Sequence, residues 1–455
     1  MVDYRIEHDT MGEMRVPKEA LYGAQTQRAV ENFPISGLRF PRSFIRALGL
    51  IKSMAARVNG RIGQLPSDIA AGIEKAAEEV AAGKYDHQFM VDIFQTGSGT
   101  STNMNANEVI GHLAKAHPND HVNRGQSSND VIPSAIHIAA AILAHDALLP
   151  AMANLAVSLK KKSAEFANIV KIGRTHLQDA VPMLLGQEFS GYAAQVDLCV
   201  GRIRVALEGI YELPLGGTAI GTSLNAIPGF AAAVIADMAA QTGLPFREAA
   251  NHFEAQASKD AVSFLSGALK TYAVALTKIA NDIRWLGSGP RCGLGELKLP
   301  ETQPGSSIMP GKVNPVIAES LLMACAQVIG YDATITWCCA AGNFELNVMM
   351  PVMAYDLLQA MELLAAVSRN FDQRLVQGLE ADAARASGYV EQSLAMCTVL
   401  APVIGYEHAA SIAKEAYRSG RTVREVAREK SGIPEEQLNK LLDPRNQTKD
   451  SRNAR

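Results

Sequence analysis

Aromatic residues are scarce in this 455-residue sequence, at 6% of positions with only two tryptophans. Sheets lean on aromatic and β-branched side chains, so the shortage, beside abundant alanine, favours helix packed on helix. Cysteines are few too. The six, Cys199, Cys292, Cys325, Cys338, Cys339 and Cys397, form no CxxC pair, which argues against a disulfide framework or a zinc site and fits reduced core thiols. The ten histidines show no metal-ligand spacing apart from His117 and His121 in a Pro/Asn loop, so no metal is expected. Gly216, Gly217 and Gly221 lack the preceding strand that a dinucleotide fingerprint requires, and no cofactor is expected. No basic block marks a nucleic-acid footprint: net charge is −3, and the longest lysine run, Lys160 to Lys162, reads as a solvated helix face. Near Met1 there is no apolar core of a signal peptide, and stretches such as Ile136 to Leu149 are broken by histidine or aspartate rather than reading as membrane spans. A cytoplasmic protein is expected.

What is present is a large apolar fraction, 48%, against 20% charged residues, enough for a sizeable core. The length suggests about three domains. Residues 1–126 are mixed, with short helical segments broken by Pro17, Pro34, Pro41 and Pro66. Residues 127–390 hold long stretches with apolar residues at three- and four-residue spacing, over 134–168, 185–213, 257–286, 316–341 and 351–377, with a kink expected at Pro150. Residues 391–455 read as a small helical domain with helices over 408–419, 422–430 and 434–442. The expected fold is all-α. Several long helices, Val316 to Ala341 above all, are apolar around most of their circumference and must be buried on every side. Five helices of one chain do not suffice for that, so an oligomeric core is expected.

Chemistry is expected in the polar connections. Gly305-Ser-Ser-Ile-Met-Pro-Gly-Lys-Val-Asn-Pro315 combines two serines, a Pro-Gly turn and a Lys-x-Asn pair ahead of a helix bearing Glu319. Its glycines let backbone N–H groups face an anion, Lys312 supplies a point charge, and Asn314 supplies a directed donor. The competing reading of Ser306 and Ser307 is that of helix or turn caps.

This loop resembles the signature of the aspartase/fumarase superfamily, and the likeness continues along the chain. Gly23-Ala-Gln-Thr-Gln-Arg28, Gln95-Thr-Gly-Ser-Gly-Thr100 with Asn103-Met-Asn105, Ser127-Ser-Asn-Asp130 and Gly173-Arg-Thr-His-Leu-Gln-Asp179 look like conserved regions of the class II fumarases. Leu215 to Gly221, Ser288 to Gly293, Gly342 to Val348 and Asp443-Pro-Arg445 complete the set. The resemblance implies a three-domain subunit whose central five-helix bundle joins a twenty-helix core in a homotetramer, with active sites shared by three subunits. It implies a cofactor-independent lyase of the tricarboxylic acid cycle, acting on fumarate and malate.

By the same resemblance, Ser306 is the base that removes the C3 proton of malate, with its alkoxide stabilised by flanking N–H groups and Lys312. His176 exchanges a proton with the departing water, imidazole being suited to that near neutral pH, and Glu319 stands behind it. Ser98, Gly99, Thr100, Ser127, Ser128, Asn129, Thr175, Ser307, Lys312, Val313 and Asn314 hold the dicarboxylate. His117, Pro118, Asn119 and Asp120 look like an accessory dicarboxylate site, although Pro-Asn-Asp is also ordinary turn chemistry. Only eight residues separate Glu108 from His117, fewer than the family pattern has, so this site departs from it. The alternative activity is that of an aspartate ammonia-lyase, which shares the loop and base. Gly23 to Arg28, His117, Cys292 and Asn343-Phe-Glu345 favour the fumarase branch, whereas Ala180 to Met183 with Gly186 to Phe189 lean towards aspartase. A third reading is a catalytically silent scaffold, against which Ser306, Lys312, Asn314 and His176 all stand.

Overall fold

The computed structural model describes residues 3–448. Twelve helices carry the argument: α1 (Ala24–Asn32), α2 (Arg42–Arg61), α3 (Ser67–Ala81), α4 (Thr100–Ala114), α5 (Ser128–Leu143), α6 (Leu149–Glu165), α7 (Leu185–Ile210), α8 (Phe230–Thr242), α9 (His252–Ala257), α10 (Asp260–Leu286), α11 (Val316–Ala340) and α12 (Met350–Arg374). Among the described residues, β-structure is confined to four two-stranded sheets and an isolated bridge between Asn343 and Leu346. Two are hairpins, β1 (Tyr4–Asp9) with β2 (Gly12–Pro17) and β3 (Val170–Thr175) with β4 (Gln178–Leu184). The other two are two-residue pairings, Glu212–Leu213 with Arg247–Glu248 and Leu297–Lys298 with Glu380–Ala381. The all-α expectation holds.

The chain forms two compact units, one from residues up to 150, 199–273 and 324–366, the other from 151–198, 274–323 and 367 onward. The boundaries fall inside α6, α7, α10, α11 and α12, so each of these helices supplies a stretch to both units. In the first unit α2 and α3 pack closely because Gly49 presents no side chain: a Cβ there would lie 2.6 Å from the Ala81 nitrogen. In the second unit, helices Ala383–Gln392, Tyr406–Ser419, Val423–Lys430 and Glu435–Leu441 close over Val390, Leu400, Ile412, Val426, Leu438 and Leu442. Ile172 of β3 is buried in the same cluster, which fixes the base of the β3–β4 hairpin.

Two helix boundaries differ from the expected ones for local reasons. The helix expected from 134 begins at Ser128, because Ser127 and Asp130 form a capping box that satisfies the first free N–H groups. The expected kink at Pro150 is a wider, π-type turn over Ala144–Leu148, which ends just before the proline. A proline has no N–H for the preceding turn and its ring crowds the carbonyl there, so loosening that turn relieves both.

The apolar helices also differ in what one chain covers. By length and composition alone, Ser128–Glu165, Val316–Ala340 and Met350–Gly378 are long and apolar enough to cross a membrane. The first is 78% buried within its own chain over its most apolar stretch, but Val316–Ala340 only 28%. Met323, Ile329 and Trp337 of α11 stand exposed, Trp337 at 78%.

Candidate active site

In the first unit, two helix N-termini meet. Gly99 caps α4 in the left-handed region, φ 74°, and a Cβ there would lie 2.9–3.1 Å from the Ile132 side chain of α5. Glycine is therefore required twice over, by its dihedral and by the approach of the two helix ends. Ser98 Oγ lies 2.8 Å from Thr100 Oγ1, and Asn103 Nδ2 donates to Ser128 Oγ at 3.1 Å, so the segments 98–100 and 127–129 are brought together. Asn129 Nδ2 donates to the Ala219 carbonyl, tying the same helix end to the glycine-rich 215–221 connection. Free N–H groups and aligned peptide dipoles at two adjacent helix starts favour an anion.

The carboxylate of Asp130 holds this arrangement from below. Its Oδ1 accepts the Ser127 N–H at 3.0 Å, and its Oδ2 accepts those of Gly216 and Thr218 at 3.0 and 2.9 Å. Burial pushes this carboxyl up to about 6, against the lowering effect of the three N–H groups and of Lys52. Lys52 is itself fully buried, and burial brings its ammonium down to about 7. Neither residue was assigned a role from sequence. The Ser-x-x-Asp spacing of a capping box was the available signal for Asp130. A lone lysine in Leu48 to Ala56 offered none for Lys52.

In the second unit, Thr175 ends β3, Gln178 begins β4, and His176-Leu177 forms the two-residue turn between them. Both turn residues have positive φ, 56° and 59°, as a hairpin of this tightness requires. Asparagine and glycine are the usual occupants; here an imidazole is held at an exposed tip. A cage of buried charge holds the strand beneath it. Arg174 donates to Glu296 at 2.5 Å, and Lys171 pairs with Glu188 at 3.1 Å and Glu296 at 3.6 Å, with Lys171 and Glu296 almost wholly buried. Burial pushes the Glu188 carboxyl up, opposed by Lys171. Such a cage is sensitive to loss of either sign, since the remaining partner is left as an unpaired buried charge.

The 305–315 loop of the same unit closes on itself. Gly305 N–H donates to the Lys312 carbonyl at 2.9 Å, and Asn314 Nδ2 donates to the Gly305 carbonyl at 2.6 Å. One of the two Asn314 amide hydrogens is thus committed to the loop itself. Ser306 Oγ accepts the N–H groups of Ile308 at 3.2 Å and Met309 at 3.0 Å. The capping and the catalytic readings of Ser306 therefore coincide, because donors that cap a hydroxyl oxygen also stabilise its alkoxide. Ser307, Lys312 and Val313 are exposed, while Glu319 is half-buried in the first turn of α11. Among the described residues, no hydrogen bond or ion pair joins His176 to Glu319 within one chain.

His117 and Asp120 face each other across a π-type turn, Pro118–Val122. The Asp120 N–H donates to His117 Nδ1 at 3.0 Å, and the His117 N–H donates to His121 Nδ1 at 3.0 Å. The segment satisfies two of its own backbone donors with its imidazoles.

Comparison with known proteins places the chain in a family. Residues 12–330 match a family model described as Lyase, and residues 396–449 match one described as Fumarase C C-terminus. A class II fumarate hydratase of Mycobacterium tuberculosis is 53% identical over 451 residues, covering 97% of this chain and 95% of the relative. The chain belongs to the class II fumarate hydratase family. A second member, from Pseudomonas aeruginosa, is 51% identical over 452 residues, covering 97% of each. The crystal structure of a recombinant class II fumarase from Schistosoma mansoni superposes with a TM-score of 0.95 at 40% identity, covering 97% of this chain and 98% of that one. The expectation of the fumarase branch, and of a lyase, is borne out across the whole chain rather than at the 305–315 loop alone.

Proposed function

We propose that the chain is a fumarate hydratase interconverting fumarate and L-malate by anti addition and elimination of water. The observation that carries the chemistry is the double N–H contact to Ser306 Oγ. A serine hydroxyl is a poor base unless its oxyanion is stabilised before the reaction begins, and two fixed amide donors with Lys312 on the same loop are suited to that.

In the elimination direction the Ser306 alkoxide takes the C3 proton of malate. The electron pair moves into the adjacent carboxylate, giving a doubly charged aci form. Collapse of that form makes the double bond and breaks the C2–O bond, with His176 supplying the proton that turns hydroxide into water. Thr100, Ser127, Ser128, Asn129, Thr175, Lys312 and Asn314, aided by Ser98, Gly99, Ser307 and Val313, hold the two carboxylates. The adjacent starts of α4 and α5 are placed to stabilise the charge that grows on one of them. Glu319 orients or charges His176.

We infer a homotetramer with active sites shared by three subunits. The exposed apolar side chains of the long helices, Leu198, Val205, Phe264, Met323, Ile329 and Trp337, support a core made with other copies. A pairing of His176 with Glu319 from a different subunit fits the lack of a hydrogen bond or ion pair between them within one chain among the described residues. The three-segment division at 126/127 and 390/391, a cytoplasmic location and dicarboxylate binding at His117–Asp120 belong to the same reading.

The test follows the ultraviolet absorbance of fumarate with purified protein, with and without ammonium. Loss of fumarate without ammonium, giving malate and abolished in Ser306→Ala, is expected. Consumption only with ammonium would make the chain an aspartase.

A further inference from the structure

The buried lysine beneath the α5 end has a chemical consequence that runs through two amides, Asn123 and Asn103. Lys52 Nζ donates to Asn123 Oδ1 at 3.0 Å and to Gln126 Oε1 at 2.9 Å. Asn123 Oδ1 also receives Asn103 Nδ2 at 3.3 Å and Asn107 Nδ2 at 3.2 Å. The second hydrogen of Asn103 Nδ2 goes to Ser128 Oγ at 3.1 Å. Lys52, Asn103 and Asn107 are each at most 2% exposed, so water does not compete for these groups.

Each amide in this chain could in principle face either way, since its oxygen and nitrogen differ little in shape. In its ammonium form a lysine removes that freedom, because it donates and never accepts. Its presence, with the Asn123 Nδ2 donation to the Gln126 carbonyl at 3.2 Å, holds the Asn123 oxygen inward. That oxygen in turn requires the Asn103 NH2, and the Asn103 NH2 requires Ser128 Oγ as an acceptor. The hydroxyl hydrogen of Ser128 is then left pointing away from the protein interior, free to donate to a carboxylate.

We propose that Lys52 is a positioning residue that sets the hydrogen-bond polarity of the Asn123–Asn103–Ser128 chain, so that Ser128 meets the substrate as a donor. The inference rests on the fumarate-hydratase reading and on Ser128 contacting substrate. Lys52 itself touches neither. Its distinguishing property is the direction it imposes: an apolar side chain of similar length would fill the space yet leave only the Gln126 carbonyl to hold Asn123 this way round, so that Asn123 and Asn103 turn over more readily and Ser128 donates inward.

The experiment is a kinetic double-mutant cycle on the full chain. Lys52→Met and Asn103→Leu are each compared with wild type, then repeated in a Ser128→Ala background, reading KM for fumarate and the inhibition constant of succinate, a substrate-shaped dicarboxylate that cannot react. Either single variant is expected to raise both constants roughly tenfold, the loss of one hydrogen bond to a charged group, and to change neither by more than about twofold once Ser128 is alanine. A folded variant with unchanged constants, or one whose effect multiplies with that of Ser128→Ala, overturns the proposal. Should Lys52→Met not fold, Asn103→Leu breaks the same chain one step later and decides the question in the same way. A wild type inactive on fumarate overturns the functional reading itself, whereas an active wild type with indifferent variants overturns only the polarity assignment.

Discussion

Asp130 Oδ2 accepts the N–H of Thr218 at 2.9 Å across 88 positions of sequence, and that bond fixes the start of α5 against the glycine-rich connection. The Gly216 N–H reaches the same oxygen. One buried side chain therefore sets the relation between Ser127 to Asn129, expected to bind substrate, and the glycine-rich connection beside Asn129.

Asp130→Asn tests this with little change of shape. An asparagine keeps one acceptor oxygen, but its NH2 must face either the Ser127 N–H or those of Gly216 and Thr218. At least one buried donor is left unpaired, at about 1–3 kcal/mol. Urea denaturation should show that loss, and KM for fumarate should rise with it. An unchanged midpoint with unchanged KM would remove Asp130 from this role.

Lys52 and Asp130 also give the protein a distinctive pH response. Burial holds Lys52 near 7, below its ordinary 10.5, so above pH 7 the unfolded chain keeps a proton that the folded one has released. Stability from this group therefore rises with pH between about 7 and 10.5. For Asp130, near 6 when folded and 3.8 otherwise, the folded state holds the extra proton, and stability falls as pH rises between 3.8 and about 6. Between pH 7 and 9, wild type should gain on the order of 1–2 kcal/mol relative to Lys52→Met. Parallel pH profiles of the two proteins in urea would contradict the assignment.

The residues legible in the sequence are those whose composition breaks the local pattern. Gly305 to Pro315 stands out because two serines, a Pro-Gly turn and a Lys-x-Asn pair interrupt helical sequence. The long helices were legible from apolar spacing, and the start of α5 was misplaced by six residues because its polar first turn, set by the Ser127–Asp130 capping box, lacks that spacing. Lys52 was not legible. On a helix a single lysine among apolar residues ordinarily extends its amine to water, and only the packing of Asn123 and Gln126 over it shows otherwise. The cage of Lys171, Arg174, Glu188 and Glu296 was hidden for a different reason, since Glu296 lies more than a hundred positions from its partners Lys171 and Arg174.

His176 carries two functions that can be separated by substitution. Its φ of 56° suits a residue that tolerates the left-handed region, and in the proposed function its ring carries the proton. His176→Asn preserves the turn and removes the proton carrier. It should lower kcat about 10²-fold or more while leaving the denaturation midpoint unchanged. Leu177→Gly should act in the opposite sense, adding about 1 kcal/mol of stability by relieving a left-handed non-glycine residue, with kcat retained. A stability loss in His176→Asn would mean that the ring is structural.

Gly305 is the point at which loop geometry and base activation can be disconnected. A Cβ at this position would run into the Lys312 carbonyl and come within 2.8 Å of the Asn314 nitrogen, the two residues that close the loop on Gly305. Gly305→Ala must therefore open the Gly305–Lys312 contact, moving Ser306 relative to Lys312 and to the N–H groups of Ile308 and Met309. The surrounding residues are largely exposed, so little packing is at stake and global stability should change by less than about 0.5 kcal/mol. The oxyanion donors, by contrast, act only when fixed in place, and loss of one such donor is worth roughly 10²–10³ in kcat. The expected result is a stable, correctly assembled protein whose kcat falls by that order. If Gly305→Ala keeps full kcat, closure of this loop is not what activates Ser306, and the alkoxide must be stabilised by groups outside the loop.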